Sequence, residues 1–157
     1  FTVRLDHDRS NDFMYRFAFT GHEPYAWPAP NGYPDTSLAW SGANGYAMSW
    51  KMLNWLSETN DAGVPLLPVV ELSRTEVASW TASNLVDHWC RRLLGYLPAA
   101  ARRQEQLAFM AQNGNPTVDV IADSDAWNAN NLKQHYNHQR LRSMVSLIMM
   151  TPEFLSR

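Results

Sequence analysis

Residues 81–94, TASNLVDHWCRRLL, decide the fold class of this chain. Apolar side chains recur here at the i, i+3, i+4, i+7 spacing of an amphipathic helix, with polar side chains on the opposite face. The apolar positions are Ala82, Leu85, Val86, Trp89 and Leu93, and the polar ones are Asn84, Asp87, His88 and Arg91. Asp87 and Arg91 stand four residues apart, which predicts a weak ion pair on the helix surface. Gly95 and Pro98 follow as a helix stop and the start of the next helix.

Three more long helices are predicted, two from apolar stripes at the same spacing and the middle one from Pro98 at its start and Asn113-Gly114 at its end. They cover residues 43–58, 98–112 and 132–150. A short helix is expected at residues 118–122, inside the polar connection between the last two. The predicted fold class is therefore all-α, an irregular multi-helix bundle in a single domain over residues 1–157.

Capping residues predict where further helices begin. Ser10 or Asn11 is expected to cap a short first helix, and Ser73 or Thr75 is expected to cap the helix after a proline-containing linker. Thr151, which a proline follows, predicts a terminal helical turn with the threonine as its cap.

Composition limits the classes of partner. With 157 residues, of which 45% are apolar and 18% charged, the chain resembles one folded domain. Its net charge of −2 predicts no nucleic-acid partner. No run approaches the roughly 18 apolar residues of a membrane span. Cys90 is the single cysteine, which excludes an internal disulfide and a cysteine-based zinc site, and any cofactor is left unknown.

Residues 27–40, WPAPNGYPDTSLAW, are expected to form an ordered loop, because three prolines interrupt any helix or strand. Its aromatic content is unusual for a loop and makes it the candidate ligand-binding site. The candidate side chains are Trp27, Tyr33 and Trp40 for stacking on a sugar or aromatic ligand, and Asn31, Asp35 and His22 for orienting it. The alternative is a structural role, in which the rings fix the loop onto the first helix.

Two clusters contain residue types that bind metals. Asp119, Asp123 and Asp125 offer the oxygen ligands that calcium prefers, but the spacing, glycine and closing glutamate of an EF-hand are missing. His135 and His138 share one face of the predicted last helix, whereas helical zinc sites more often use a four-residue spacing. Capping or solvated roles are therefore expected for all five residues, and no metal site is predicted.

Three segments of the chain resemble a known family, in the right order. The aromatic loop carries the pattern W-P-x-P-x-G-Y-P-D followed by a tryptophan, residues 86–97 form a leucine-rich helix with a closing glycine turn, and residues 147–157 read LIMMTPEFLSR. The loop residues that match are Trp27, Pro28, Pro30, Gly32, Tyr33, Pro34, Asp35 and Trp40. This combination is similar to the C-terminal part of the bacterial family called domain of unknown function 1800, over residues 23–157.

The resemblance implies a mostly helical fold within a longer, exported parent protein, in the periplasm or outside the cell. It implies no reaction and no catalytic residues. Residues 123–139 depart from the pattern by forming a longer polar stretch than expected between the last helices, and we expect this stretch to be a surface for something specific.

Two functions compete at this point. The first is a helical binding module of an exported bacterial protein, which uses the aromatic loop to pack on a partner or bind a glycan; the partner would be the upstream remainder of the parent chain or a second protein. The second is the C-terminal part of an enzyme, with catalytic groups mostly upstream and Trp27, Tyr33 and Asp35 forming one wall of its site. A calcium-dependent module is a third, weaker alternative.

Overall fold

The computed structural model describes residues 7–22, 43–58, 60–61 and 64–155 of the chain. These residues are predominantly helical, which confirms the all-α prediction. In chain order the helices are α1 (His7–Phe17), α2 (Ala43–Glu58), α3 (Val69–Glu76), α4 (Ala82–Leu94), α5 (Ala100–Ala111), α6 (Asn137–Met149) and α7 (Pro152–Leu155).

Shorter elements connect these helices. A π-helical turn at Ala18–His22 continues α1, and a 3₁₀ turn at Leu132–Gln134 precedes α6. Between α2 and α3, the two-residue strands β1 (Asn60–Asp61) and β2 (Val64–Pro65) pair antiparallel. Across the described part of the chain, no helix has the length and apolar character needed to span a bilayer.

The chain divides into two compact units, residues 1–67 and residues 68–157. In the first unit α1 packs on α2, and the Arg16 guanidinium lies over the ring of Trp55 at 4.9 Å from its centroid. Such a cation–π contact contributes about 0.5–1 kcal/mol at an exposed site. Met52 of α2 is buried. The prediction of a single domain stays a prediction.

Helices α4 and α6 supply most of the fully buried side chains of the second unit. These side chains are Leu85, Val86, Trp89, Leu94, Leu141, Met144, Val145 and Ile148, with Met110 from α5. Full burial of each contributes about 1.5–3 kcal/mol relative to exposure. The apolar stripe read from residues 81–94 is therefore the core face of α4, as predicted, except that Leu94 is buried where Leu93 was expected; Cys90 lies at its edge and is also fully buried.

The ends of α4 follow from two residues. The Thr81 hydroxyl accepts a hydrogen bond from the Asn84 backbone N–H at 3.2 Å, which caps the first turn. Gly95 adopts φ 78°, the left-handed conformation that glycine reaches without a Cβ penalty, and its N–H donates to Arg91 O. Both ends agree with the prediction from the sequence.

The predicted ion pair between Asp87 and Arg91 is wrong. Asp87 instead accepts two hydrogen bonds from Arg103 of α5, at 2.6 Å from Nε and 2.9 Å from Nη2. The planar guanidinium fork makes this bidentate contact between helices stronger than a surface pair along one helix.

The four predicted cap residues are also wrong, and Thr75 lies inside α3, where its hydroxyl donates to Glu71 O and Leu72 O at 3.1 Å. Helix α1 begins at His7, so Ser10 and Asn11 lie inside it. Helix α3 begins at Val69 and includes Ser73, which is fully buried. The Ser73 hydroxyl accepts a hydrogen bond from Trp89 Nε1 at 2.8 Å, so it satisfies the indole N–H of a core tryptophan.

The C-terminal turn forms as predicted, but its threonine acts on the other helix. The Thr151 hydroxyl donates to Ile148 O at 2.7 Å, which satisfies a carbonyl in the last turn of α6. Only its backbone carbonyl accepts from α7, through the N–H groups of Phe154 and Leu155 at 3.0 Å.

Candidate functional site

The longest described connection without regular helix joins α5 to α6 and is called here the 113–136 loop. It leaves α5 through Gln112 and Asn113, both in the left-handed conformation with φ 48° and 66°. Its two ends are joined by Asp119, whose Oδ2 accepts from Asn115 N at 2.9 Å and from Lys133 Nζ at 3.0 Å. These contacts lower the pKa of Asp119 below its usual value, with the Lys133 hydrogen bond as the largest cause.

The middle of the loop runs as extended chain beside α4. The Ile121 N–H donates to Trp80 O at 2.7 Å, and Thr81 forms a bridge with Val120. The amide of Gln134 then holds both sides of Ile121, because Nε2 donates to Val120 O at 2.8 Å and Oε1 accepts from Ala122 N at 2.7 Å. The predicted helix at residues 118–122 is therefore wrong, since these backbone groups bond to distant partners.

Two carboxylates of the loop fasten it to helices. Asp123 accepts from Arg74 of α3 at 2.6 and 2.8 Å and lies 2.7 Å from His138 Nε2 of α6. The Arg74 hydrogen bonds hold the pKa of Asp123 at about 2. Asp125 accepts from the Gln139 backbone N–H at 2.9 Å, so it caps the first turn of α6 from fourteen residues away.

Trp127 lies in the loop with 64% of its surface exposed. Its ring contacts His135, with centroids 4.1 Å apart and an edge-to-face angle of 69°, and Tyr136, with centroids 5.7 Å apart. Two hydrogen bonds fix the backbone on either side: Asn128 N donates to His135 Nδ1 and Tyr136 N donates to Ala126 O, both at 3.2 Å. We call these three rings the aromatic cluster.

Tyr136 has an unusual backbone conformation. Its φ of 43° and ψ of 52° are left-handed, which bulky residues rarely adopt, and the strain costs about 1–3 kcal/mol. The same residue ends the loop immediately before α6. The contacts around Tyr136 therefore offset this backbone strain and keep the Tyr136 ring beside Trp127.

A pocket of about 270 Å³ lies beside the aromatic cluster, between α5 and the start of α6. The described residues that line it are Phe109, Gln112, His135, Tyr136, Gln139, Arg140 and Ser143. Arg140 is buried, and its Nη2 donates to Lys133 O at 2.8 Å and to Asn137 Oδ1 at 2.7 Å. The lining thus combines aromatic surface with amide, hydroxyl and imidazole groups.

A second, more open pocket of about 610 Å³ lies where α3 ends beside α4. The Glu76 carboxylate forms an ion pair with Arg92 and lies 3.4 Å from His88 Nε2. Burial lowers the pKa of His88, so its imidazole is neutral at pH 7. This pocket offers a base and charged groups but no aromatic surface.

Comparison with known proteins decides the family. The family model described as "Protein of unknown function (DUF1800)" matches residues 2–156. The chain belongs to the DUF1800 family. The match extends beyond residues 23–157, on which the resemblance rested. No curated protein and no solved structure matches the chain.

Most of the predicted site of this DUF1800 chain lies outside the described residues. That applies to Trp27, Asn31, Tyr33, Asp35 and Trp40. His22 ends the π-helical turn, and its side chain is likewise outside the description. Their roles stay predictions.

The structure separates the metal-binding residue types. Asp119, Asp123 and Asp125 face different basic partners: Lys133, Arg74 and Arg142. His135 precedes α6 and belongs to the aromatic cluster, whereas His138 contacts Asp123. Among the residues that the structure describes, no three histidine, cysteine or acidic side chains are placed to hold a metal ion.

Sequence reasoning missed Trp127 and Tyr136 as site residues. It selected residues 123–139 as a surface for something specific, and both aromatic residues lie within that stretch. The signal that was available is an aromatic pair in a mostly polar segment, because such residues have few apolar neighbours in sequence to be buried with.

Proposed function

We propose that this DUF1800 chain is a helical binding module of an exported bacterial protein, which contacts a partner protein or a glycan through surface aromatic side chains. The supporting observation is Trp127, which is exposed even though the loop that carries it is well ordered. Tryptophan supplies a large, rigid contact area with a polar N–H, which is why it is enriched in binding surfaces.

The exposure of Trp127 does not result from a loose connection. Hydrogen bonds on both sides of it, the contacts of Asp123 with Arg74 and His138, the cap made by Asp125, and the Gln134 amide all fix the loop. A ring held in water by this many contacts is already ordered before a ligand arrives. Preorganisation of this kind lowers the entropy that binding must overcome.

The aromatic loop at residues 27–40 is proposed as a second contact surface, on its sequence alone. Export to the periplasm or the exterior is proposed from the family resemblance. A partner would be the upstream remainder of a longer chain or a second protein.

One observation favours the alternative, part of an enzyme. His88 Nε2 lies 3.4 Å from the Glu76 carboxylate in an open pocket, a pairing that suits a general base. The Arg92 contact already neutralises Glu76, however, and Ser79, the one hydroxyl among the described lining residues, forms no hydrogen bond with His88 that would activate it. We therefore place the binding module first.

The binding proposal is tested by co-sedimentation with insoluble cellulose, chitin and peptidoglycan, and by affinity for the separately produced upstream part of the parent chain. The wild-type chain is expected to bind at least one of these, and Trp127→Ala is expected to weaken that binding about tenfold or more. Tyr96→Ala is the matched control, because Tyr96 is an exposed aromatic side chain that does not belong to the aromatic cluster. Equal binding by wild type and Trp127→Ala, or no binding to any probe, would contradict the proposal.

A further inference from the structure

We propose that the pocket beside Trp127 binds one pyranose ring of a glycan, with the aromatic cluster against the apolar face of the sugar and the pocket side chains hydrogen-bonded to its hydroxyls. This inference rests on the proposed function and assigns a ligand class to one site within it. No residue of the predicted 27–40 loop is needed.

The aromatic cluster suits the C–H face of a sugar ring. A π-system is electron-rich on its face, so it attracts the weakly positive C–H groups that project from one side of a pyranose. Trp127 is 64% exposed and Tyr136 is 40% exposed, and their centroids lie 5.7 Å apart. Their planes are inclined at 56°, so the sugar stacks on the exposed face of one ring and meets the other at an angle.

Polar side chains stand next to this surface. Each hydroxyl group of a sugar can both donate and accept a hydrogen bond. A sugar site therefore needs hydrogen-bond donors and acceptors together, and not a single charged group. Gln139 supplies an amide with two donors and an acceptor, and Ser143 supplies a hydroxyl. Gln112 uses its Nε2 to donate to Phe109 O at 3.0 Å, which leaves its amide oxygen as an acceptor toward the pocket it lines.

The hydrogen bond of His135 sets which nitrogen carries its proton. Nδ1 accepts from the Asn128 backbone N–H at 3.2 Å, so the neutral ring bears its hydrogen on Nε2. His135, which lines the pocket, therefore has its Nε2–H as a hydrogen-bond donor. A hydroxyl oxygen of the sugar is the matching acceptor.

Size and charge narrow the ligand class further. A volume of about 270 Å³ lies just below the roughly 300–1,000 Å³ of drug-sized sites, so one ring is held and its neighbours extend along the surface. The described lining contains no carboxylate, which gives a cation no counter-charge, and its one guanidinium, that of Arg140, already donates from Nη2 to Lys133 O and Asn137 Oδ1. A proline-rich peptide is the competing occupant, since aromatic grooves also hold polyproline helices, but its prolines offer carbonyl acceptors and no N–H donors, so the acceptor groups of the pocket stay unused.

The test uses isothermal titration of the full chain with cellohexaose, chitohexaose, xylohexaose, maltohexaose and a decaproline peptide. We expect one hexasaccharide to bind, Trp127→Ala to weaken it at least tenfold, and Gln139→Ala to weaken it about threefold or more. Gln139 is exposed on α6, so its replacement leaves the fold intact even if Trp127→Ala does not. Tyr96→Ala, the control, is expected to stay within twofold of wild type.

The outcomes separate this inference from the proposed function. Decaproline binding that depends on Trp127, or Trp127-dependent binding of the upstream protein with no sugar bound, overturns the sugar site and leaves the binding module standing. A hexasaccharide that binds wild type, Trp127→Ala and Gln139→Ala equally also overturns the site, because the sugar then lies elsewhere. Failure of all five titrated probes overturns the sugar site, and the binding module is overturned as well only if the insoluble polysaccharides and the upstream protein also fail to bind.

Discussion

At the scale of single residues, Gly114 shows how a missing methyl group lets the chain turn. A Cβ at this position would lie 2.7 Å from Asp119 Oδ2 and 2.9 Å from Ala111 O. The Asp119 carboxylate cannot move away cheaply, because it accepts from Asn115 N and Lys133 Nζ. The first turn of the 113–136 loop thus depends on glycine for space.

Gly114→Ala is therefore expected to lower the free energy of unfolding by at least about 1 kcal/mol. Urea denaturation followed by circular dichroism measures this change. Val118→Ala is the control in the same loop, since Val118 is 68% exposed, and its effect should stay within about 0.5 kcal/mol. Equal stabilities for Gly114→Ala and wild type would mean that the backbone shifts to accept the methyl group.

Two side-chain amides make hydrogen bonds to distant backbone groups that sequence patterns do not reveal. Gln134 replaces a strand partner for Val120 and Ala122, and the Asn137 amide donates to Ala122 O at 2.8 Å. Both residues look like ordinary polar surface positions in the sequence. Their role depends on partners 12 to 15 residues away, which local spacing cannot identify.

At the scale of elements, Asp123 couples the 113–136 loop to α3 and α6. Its pKa lies near 2, below its usual value of 3.8, because Arg74 and His138 favour the carboxylate. A depressed folded-state pKa contributes stability above about pH 3.8, and that contribution is lost as the pH falls through about 2. The pair is partly exposed, so the contribution is about 1 kcal/mol or less.

Asp123→Asn is expected to be less stable than wild type at pH 5, and the difference should shrink as the pH is lowered to 2. Chemical denaturation at pH 5, 4, 3 and 2 gives the difference at each value. In an Arg74→Ala background the same substitution should have a smaller effect, because the main cause of the shift is gone. A difference that stays constant from pH 5 to pH 2 would refute the assignment.

Helix positions were predicted better than helix ends. Residues 43–58 were predicted as a helix with the bounds that α2 has, and the apolar stripe of α4 was correct. The last long helix was predicted to begin at residue 132 but α6 begins at Asn137, because the left-handed Tyr136 interrupts the chain there. Its cap comes from Asp125, a tertiary contact that no local capping rule predicts.

At the scale of the whole molecule, residues 68–157 contain their own core. Helices α4, α5 and α6 pack on one another, α3 packs on α6, and the fully buried side chains of α4 and α6 lie within this range. A core of this size supports independent folding in many small domains.

A fragment of residues 68–157 is therefore expected to be helical by circular dichroism and to unfold in one cooperative thermal transition. Leu85→Ala in this fragment should lower the free energy of unfolding by about 2–5 kcal/mol, because Leu85 is fully buried. Tyr96→Ala, an exposed position, serves as the comparison. A broad, non-cooperative transition would show that the fragment does not fold alone.

The candidate site was the hardest feature to predict from the sequence. Trp127, His135 and Tyr136 carry no spacing that marks a site, and the geometry that joins them comes from backbone hydrogen bonds at Ala126 and Asn128. The helices follow from local periodicity in the sequence. The aromatic cluster instead depends on hydrogen bonds between distant residues of the 113–136 loop. The departure of residues 123–139 from the family pattern indicated only that they form a surface.

The burial of Cys90 has a practical consequence for spectroscopy. Its thiol is fully enclosed, and burial raises its pKa to about 11, so almost no reactive thiolate exists at neutral pH. As Cys90 is the single cysteine of the chain, a cysteine placed at exposed Val118 would be the sole thiol that a maleimide dye modifies. A Val118→Cys variant can thus be labelled with one fluorophore at that position without replacing Cys90.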